Sequence, residues 1–128
     1  MTLVHPEVMS DGFSKWHLRD GLVLHRFTAP DDGEPHDHPW AFTTQILSGG
    51  YVEEVYSLMP EGGWTMSLHY RWPGETHRVE AQTIHRIVSL PEGECWTLIR
   101  PEAWEQQPGF WRLRHGVAER RVWNEGWA

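Results

Sequence analysis

His36 and His38 stand two positions apart, and alternate residues of an extended strand project to the same face, so the two imidazoles can meet one metal ion. Neutral imidazole is a ligand for Fe(II), Zn, Ni, Cu and Mn, and a site built of imidazoles leaves the 2+ charge of the ion uncompensated. Such a site attracts an anionic or enolisable substrate and acidifies a bound water. The chain has nine histidines in 128 residues, so the pair gains meaning only from the strands around it. Asp37, between the two, points to the opposite face and is expected to be a solvated carboxylate. No G-x-S-x-G occurs, and Cys95 has no motif around it. Neither Gly49-Gly50 nor Pro73-Gly74 opens a helix, so nothing here reads as a phosphate loop.

The elements that must position these residues read as strands. KWHLRDGLVLHRF, residues 15–27, predicts a hairpin turning at Asp20-Gly21, and TAPDDGEP, residues 28–35, is a loop of turn formers. WAFTTQILS and YVEEVYSL predict a second hairpin joined at Gly49-Gly50. Within it Glu53 and Glu54 read as a solvated strand face, and alternation allows at most one of them to point inward. WTMSLHYRW forms a strand that Pro73-Gly74 ends. IHRIVSL, CWTLIR, GFWRLR and RRVWNEGW follow, separated by PEGE and PEAWEQQPG. No stretch sustains a helical period, so the fold class is all-β, a sandwich or barrel.

The length fits one domain over residues 1–128, with its core at about 15–115. A single cysteine cannot form an internal disulfide, and no basic-then-apolar leader or membrane-length apolar run occurs, which points to the cytoplasm. The net charge of -7 and scattered Lys and Arg argue against nucleic acid and anionic membranes as partners. Nine tryptophans suit aromatic packing or a ligand surface for stacked rings.

With these elements in place, the chain resembles the cupin superfamily over about residues 15–100. That family's first motif is His-x-His, a Glu four or five residues later, and a Gly seven residues after it. Here His36 and His38 are followed by Phe42 or Thr43 in the Glu slot and by Gly49 or Gly50 in the Gly slot. The second motif runs from a Gly to a His eleven residues on, as Gly74 and His85 stand here. The departures are the missing Glu, no Gly six residues before His36, and Glu80 and Gln82 in place of a Pro and a Gly. The resemblance implies a single-domain jelly-roll β-barrel, often homodimeric through its outer sheet, with His36, His38 and His85 as a three-histidine site for a divalent metal. It further implies a mononuclear Fe(II) dioxygenase-type enzyme, since three-histidine cupins include dioxygenases of thiols and β-diketones. The alternatives are a Zn, Ni or Mn isomerase, lyase or hydrolase, and a barrel that binds a small ligand such as a sugar.

Trp40, Phe42 and Gln45 are expected to line the small-molecule pocket; a fourth ligand is left unassigned, with the Gln45 amide oxygen or a His77 nitrogen as candidates, and His77 is a further candidate for the lining. His77 is the candidate proton carrier. His25 and His69 read as wall residues, and His5, His17 and His115 as surface groups. Arg78 and Arg86 each follow a histidine and so point away from it in a regular strand.

Overall fold

The computed structural model describes residues 6–127. Its strands are β1 (Glu7–Ser10), β2 (Phe13–His17), β3 (Val23–Phe27), β4 (Trp40–Ser48), β5 (Tyr51–Leu58) and β6 (Trp64–Arg71). They continue with β7 (Thr76–Val79), β8 (Ile84–Ser89), β9 (Cys95–Trp104), β10 (Gly109–Arg114) and β11 (Val117–Val122). The hairpin expected at Asp20-Gly21 forms between β2 and β3. Its turn is a short 3-10 segment in which both residues take positive φ, 59° and 75°, as a tight reversal requires.

The second expected hairpin does not form, because β4 and β5 belong to different sheets. β4 pairs with β7 and β9 in a six-stranded sheet of order β1-β2-β3-β9-β4-β7, while β5 lies between β6 and β8 in a three-stranded sheet. Gly49-Gly50 is therefore a crossover between sheets. Both residues take positive φ, and a Cβ on Gly49 would lie 1.8 Å from the Glu94 carbonyl oxygen, so glycine is required for the two segments to pass. The PEAW segment, expected to break the chain, instead continues β9. Pro101 is accommodated where β4 shifts register between Trp40 and Phe42, a place where a residue without N–H is tolerated.

The sheets do not close into one continuous cylinder among the described residues. They pack as a jelly roll, with apolar side chains of alternating positions turned between them. Phe27, Ile46, Tyr51, Ile87 and Cys95 form one buried cluster, and Val23, Phe42, Val79 and Ile99 form a second against which Trp40 packs. Each such side chain contributes about 1.5–3 kcal/mol when fully buried, so these clusters hold the sheets at fixed spacing. Phe42 of the second cluster and Trp40 packed on it meet the ring of His38. No helix among the described residues is long and apolar enough to cross a membrane.

Candidate metal centre

The His-x-His segment is held between two strands. The His36 N–H donates to the His85 carbonyl at 2.9 Å, and the His85 N–H returns the bond at 3.0 Å, so the two histidines face each other across an antiparallel rung. On its other side the segment meets β10, where Asp37 N–H donates to Gly109 and Trp111 N–H to Pro35. This backbone fixes side-chain direction by alternation: His36, His38 and His85 turn inward, while Asp37 and Arg86 turn out.

The inward rings converge. His36, His38 and His85 each offer a nitrogen, and these atoms lie within 4.8 Å of one another. Nε2 of His38 and Nε2 of His85 are 3.3 Å apart, and the ring centroids of the three residues are 4.8–5.2 Å apart. Two imidazoles bound to one ion at about 2.1 Å have their nitrogens separated by about 3.3 Å, so the His38–His85 pair already fits. The nitrogen that His36 offers lies within 4.8 Å of the other two. Burial, with His85 close by, pushes His36 down to about 3, and burial holds His38 well below the ordinary histidine range. Both are therefore neutral near pH 7, the state in which imidazole binds metal. The donor set is chemically sound for a divalent ion.

Phe42 is, with Thr43, one of the two residues in the Glu slot of the resemblance. It is 7% exposed and its ring packs edge-on against His38 at 4.9 Å. Trp40 lies 6.2 Å from the same ring and meets Phe42 at 5.7 Å, so two aromatic side chains cover one side of the histidines. Gln45 does not join them. It is exposed and alternates with the buried Thr44 and Ile46, which corrects the expectation that it lines the pocket.

His77 lies apart from the three-histidine cluster, opposite Thr44 on β7. Its Nδ1 is 3.3 Å from Glu75, neither ring nitrogen makes a hydrogen bond, and burial lowers its pKa. His25 sits between Phe13 and Phe27 as a wall residue, His69 bonds Ser67 at 2.9 Å, and His17 is paired with Glu7 at the surface. His115 takes φ 53° in the turn before β11, and His5 lies outside the described residues.

Two carboxylates depart from expectation. Asp37 does point away from the cluster, yet it is 4% exposed instead of solvated, because the β10–β11 hairpin folds over it. It accepts hydrogen bonds from Gly109 N–H, Trp111 Nε1 and the Arg120 guanidinium. Glu53 is 2% exposed, not part of a solvated face. It accepts from His85 Nδ1 at 2.6 Å and from Arg71 Nε at 2.7 Å. Burial opposes its charge, but the bonds from His85 and Arg71 prevail and hold it down to about 2. Its neighbour Glu54 faces out and pairs with Arg86 at 2.7 Å. On that outer side an open cleft of about 470 Å³ is lined by residues that include Tyr56, Trp64, Arg86 and Trp111.

Solved structures of similar fold accompany this geometry. Oxalate oxidase in complex with the substrate analogue glycolate superposes with a TM-score of 0.53 at 16% identity, over 70% of this chain and 46% of that one. KdgF from Halomonas sp. matches with a TM-score of 0.54 at 19% identity, covering 78% of this chain and 90% of the other. The Drosophila melanogaster CENP-C cupin domain gives 0.51 at 11% identity, covering 74% and 73%. The chain thus spans less than half the length of the oxalate oxidase it resembles. No family model matches the chain, and no curated protein matches it.

Proposed function

This chain has the cupin fold, and from that premise we propose that it is a mononuclear metal enzyme acting on a small molecule, with His36, His38 and His85 as the ligands. The observation that carries this reading is the convergence of three imidazole nitrogens within 4.8 Å, with the Phe42 ring packed against His38. When bound, Fe(II) would supply dioxygen activation, whereas Zn, Ni or Mn would supply Lewis acidity for an isomerase, lyase or hydrolase. The protein's part is to hold and shield. Burial keeps His36 and His38 neutral, and Phe42 and Trp40 exclude water from one side of the cluster. His77, with both nitrogens free of hydrogen bonds, is assigned the proton-carrying role.

Elemental analysis of protein purified without a histidine tag, beside His36→Ala and His85→Ala, tests the proposal. Near-stoichiometric iron lost from both variants supports the dioxygenase. Zinc, nickel or manganese lost in the same way supports Lewis-acid chemistry. A metal-free wild type overturns the reading.

One observation favours a second reading, a module that binds a ligand such as a sugar on aromatic rings. The outer cleft with Tyr56, Trp64 and Trp111 is suited to it and lies on the opposite face of β8 from His85. Ligand binding that survives His85→Ala would favour this alternative.

We further propose that two copies pair through β6, the edge of the three-stranded sheet. Arg71 turns inward to Glu53, and Met66, Leu68 and Tyr70 stand exposed on the outer face, continued by Trp72. A contiguous exposed apolar stripe marks a protein–protein surface, and a C2 pair would use the same stripe on both copies.

A further inference from the structure

We propose that Glu53, braced by Arg71, is a positioning residue that fixes the tautomer of His85 so that Nε2 presents its lone pair to the ion. The inference deepens the metal reading above and rests on it. A carboxylate can only accept, so the 2.6 Å contact between Glu53 Oε1 and His85 Nδ1 requires the hydrogen on Nδ1. In the neutral ring Nε2 is then bare, and Nε2 is the atom that lies 3.3 Å from His38. Arginine can only donate, so Arg71 Nε occupies the other Glu53 oxygen at 2.7 Å and prevents the carboxylate from rotating away. Arg71 is itself held by Glu75 at 3.1 Å. The line runs across three neighbouring strands, from Arg71 on β6 through Glu53 on β5 to His85 on β8.

The ion pair alone does not account for this placement. A carboxylate buried to 2% exposure needs partners for both oxygens, and the second partner here is one ring of the metal cluster, not a backbone N–H or a serine. Among the described residues the cluster contains histidines only, so the negative charge stands one hydrogen bond behind a ligand instead of among the ligands.

Glu53→Gln separates a tautomer-setting role from a space-filling one. Because Arg71 must donate, the carbonyl of the introduced amide turns to Arg71 and its NH2 meets His85 Nδ1, which must then accept and move its hydrogen to Nε2. In metal-free protein, 15N NMR of the histidine rings is expected to report Nδ1–H for His85 in the wild type and Nε2–H in the variant. Zinc affinity, read by competition with a chromophoric chelator, is expected to fall about 10–100-fold. Adding Arg71→Met frees the amide carbonyl to face His85, and both the tautomer and most of the affinity are expected to return. A wild-type His85 carrying its hydrogen on Nε2 would overturn the proposal even if no variant folds. A wild type that binds zinc with an affinity unmoved by Glu53→Gln overturns this proposal alone. A wild type that binds no metal removes the underlying reading as well.

Discussion

Arg120 reaches from β11 to bond Asp37 twice, from Nε at 2.9 Å and from Nη2 at 3.2 Å, so the residue between two candidate ligands is tied to the last strand of the chain. The Asp37 carboxylate also accepts from Gly109 N–H at 2.7 Å and Trp111 Nε1 at 2.8 Å. Asp37→Ala leaves these donors without their acceptor beneath the hairpin. It is expected to cost about 3–5 kcal/mol, seen as a lowered urea midpoint, and to weaken metal binding by loosening the His-x-His segment. A cost below about 1 kcal/mol would show that the hairpin is anchored elsewhere.

Acid is expected to destabilise the metal-free protein. His25 and His36 are held to about 3 by burial, so between their unfolded value near 6.5 and that figure the unfolded chain binds protons that the folded chain does not. Each then costs up to about 2 kcal/mol at pH 5 relative to pH 7.5. Glu53, held to about 2, contributes stability that is present above about 4.5 and lost as the pH falls below it. Urea unfolding with chelator present at pH 7.5 and pH 5 measures the first effect, and equal stabilities would contradict it.

Phe42→Glu restores a carboxylate beside His38, whose ring Phe42 now touches at 4.9 Å. Without metal the buried charge is expected to cost several kcal/mol, on the order of 3. With zinc the variant is expected to recover that loss and to gain more in melting temperature than the wild type does. A variant that zinc does not rescue would place position 42 outside reach of the ion.

Leu68→Lys and Tyr70→Lys alter side chains that are 58% and 59% exposed, so the fold should tolerate them within about 0.5 kcal/mol. If β6 is the dimer surface, light scattering after gel filtration will report a dimer for the wild type and a monomer for the double variant. A monomeric wild type would refute the pairing.

Much of this site was legible because its signals are local. His36 and His38 share a face by alternation alone, and Gly74 to His85 spans a turn of recognisable length. What was not legible depends on partners distant in sequence. Glu53 and Glu54 look alike in YVEEVY, and a register shift between Val52 and Glu53 resets the phase that decides which one turns inward. Gly49-Gly50 resembles a hairpin turn, but the strands on either side find partners in β9 and β8, far along the chain. Asp37 reads as solvated until the hairpin at the other end folds over it. Pro39 interrupts the strand after His38, so the outward direction of Gln45 could not be carried forward from the histidines.

The bridge from His36 to both His85 and Phe110 bears on how the protein is made. A ribosome delivers the chain from its N-terminus, and His36 emerges long before either partner strand does. The histidine pair must wait, without its rungs, until β8 has been synthesised, and Asp37 waits longer still for Arg120. An ion held by these three histidines would therefore be loaded late in biogenesis, and a message truncated before residue 120 would yield a chain that holds all three imidazoles yet lacks the Arg120 bond to the segment that carries two of them.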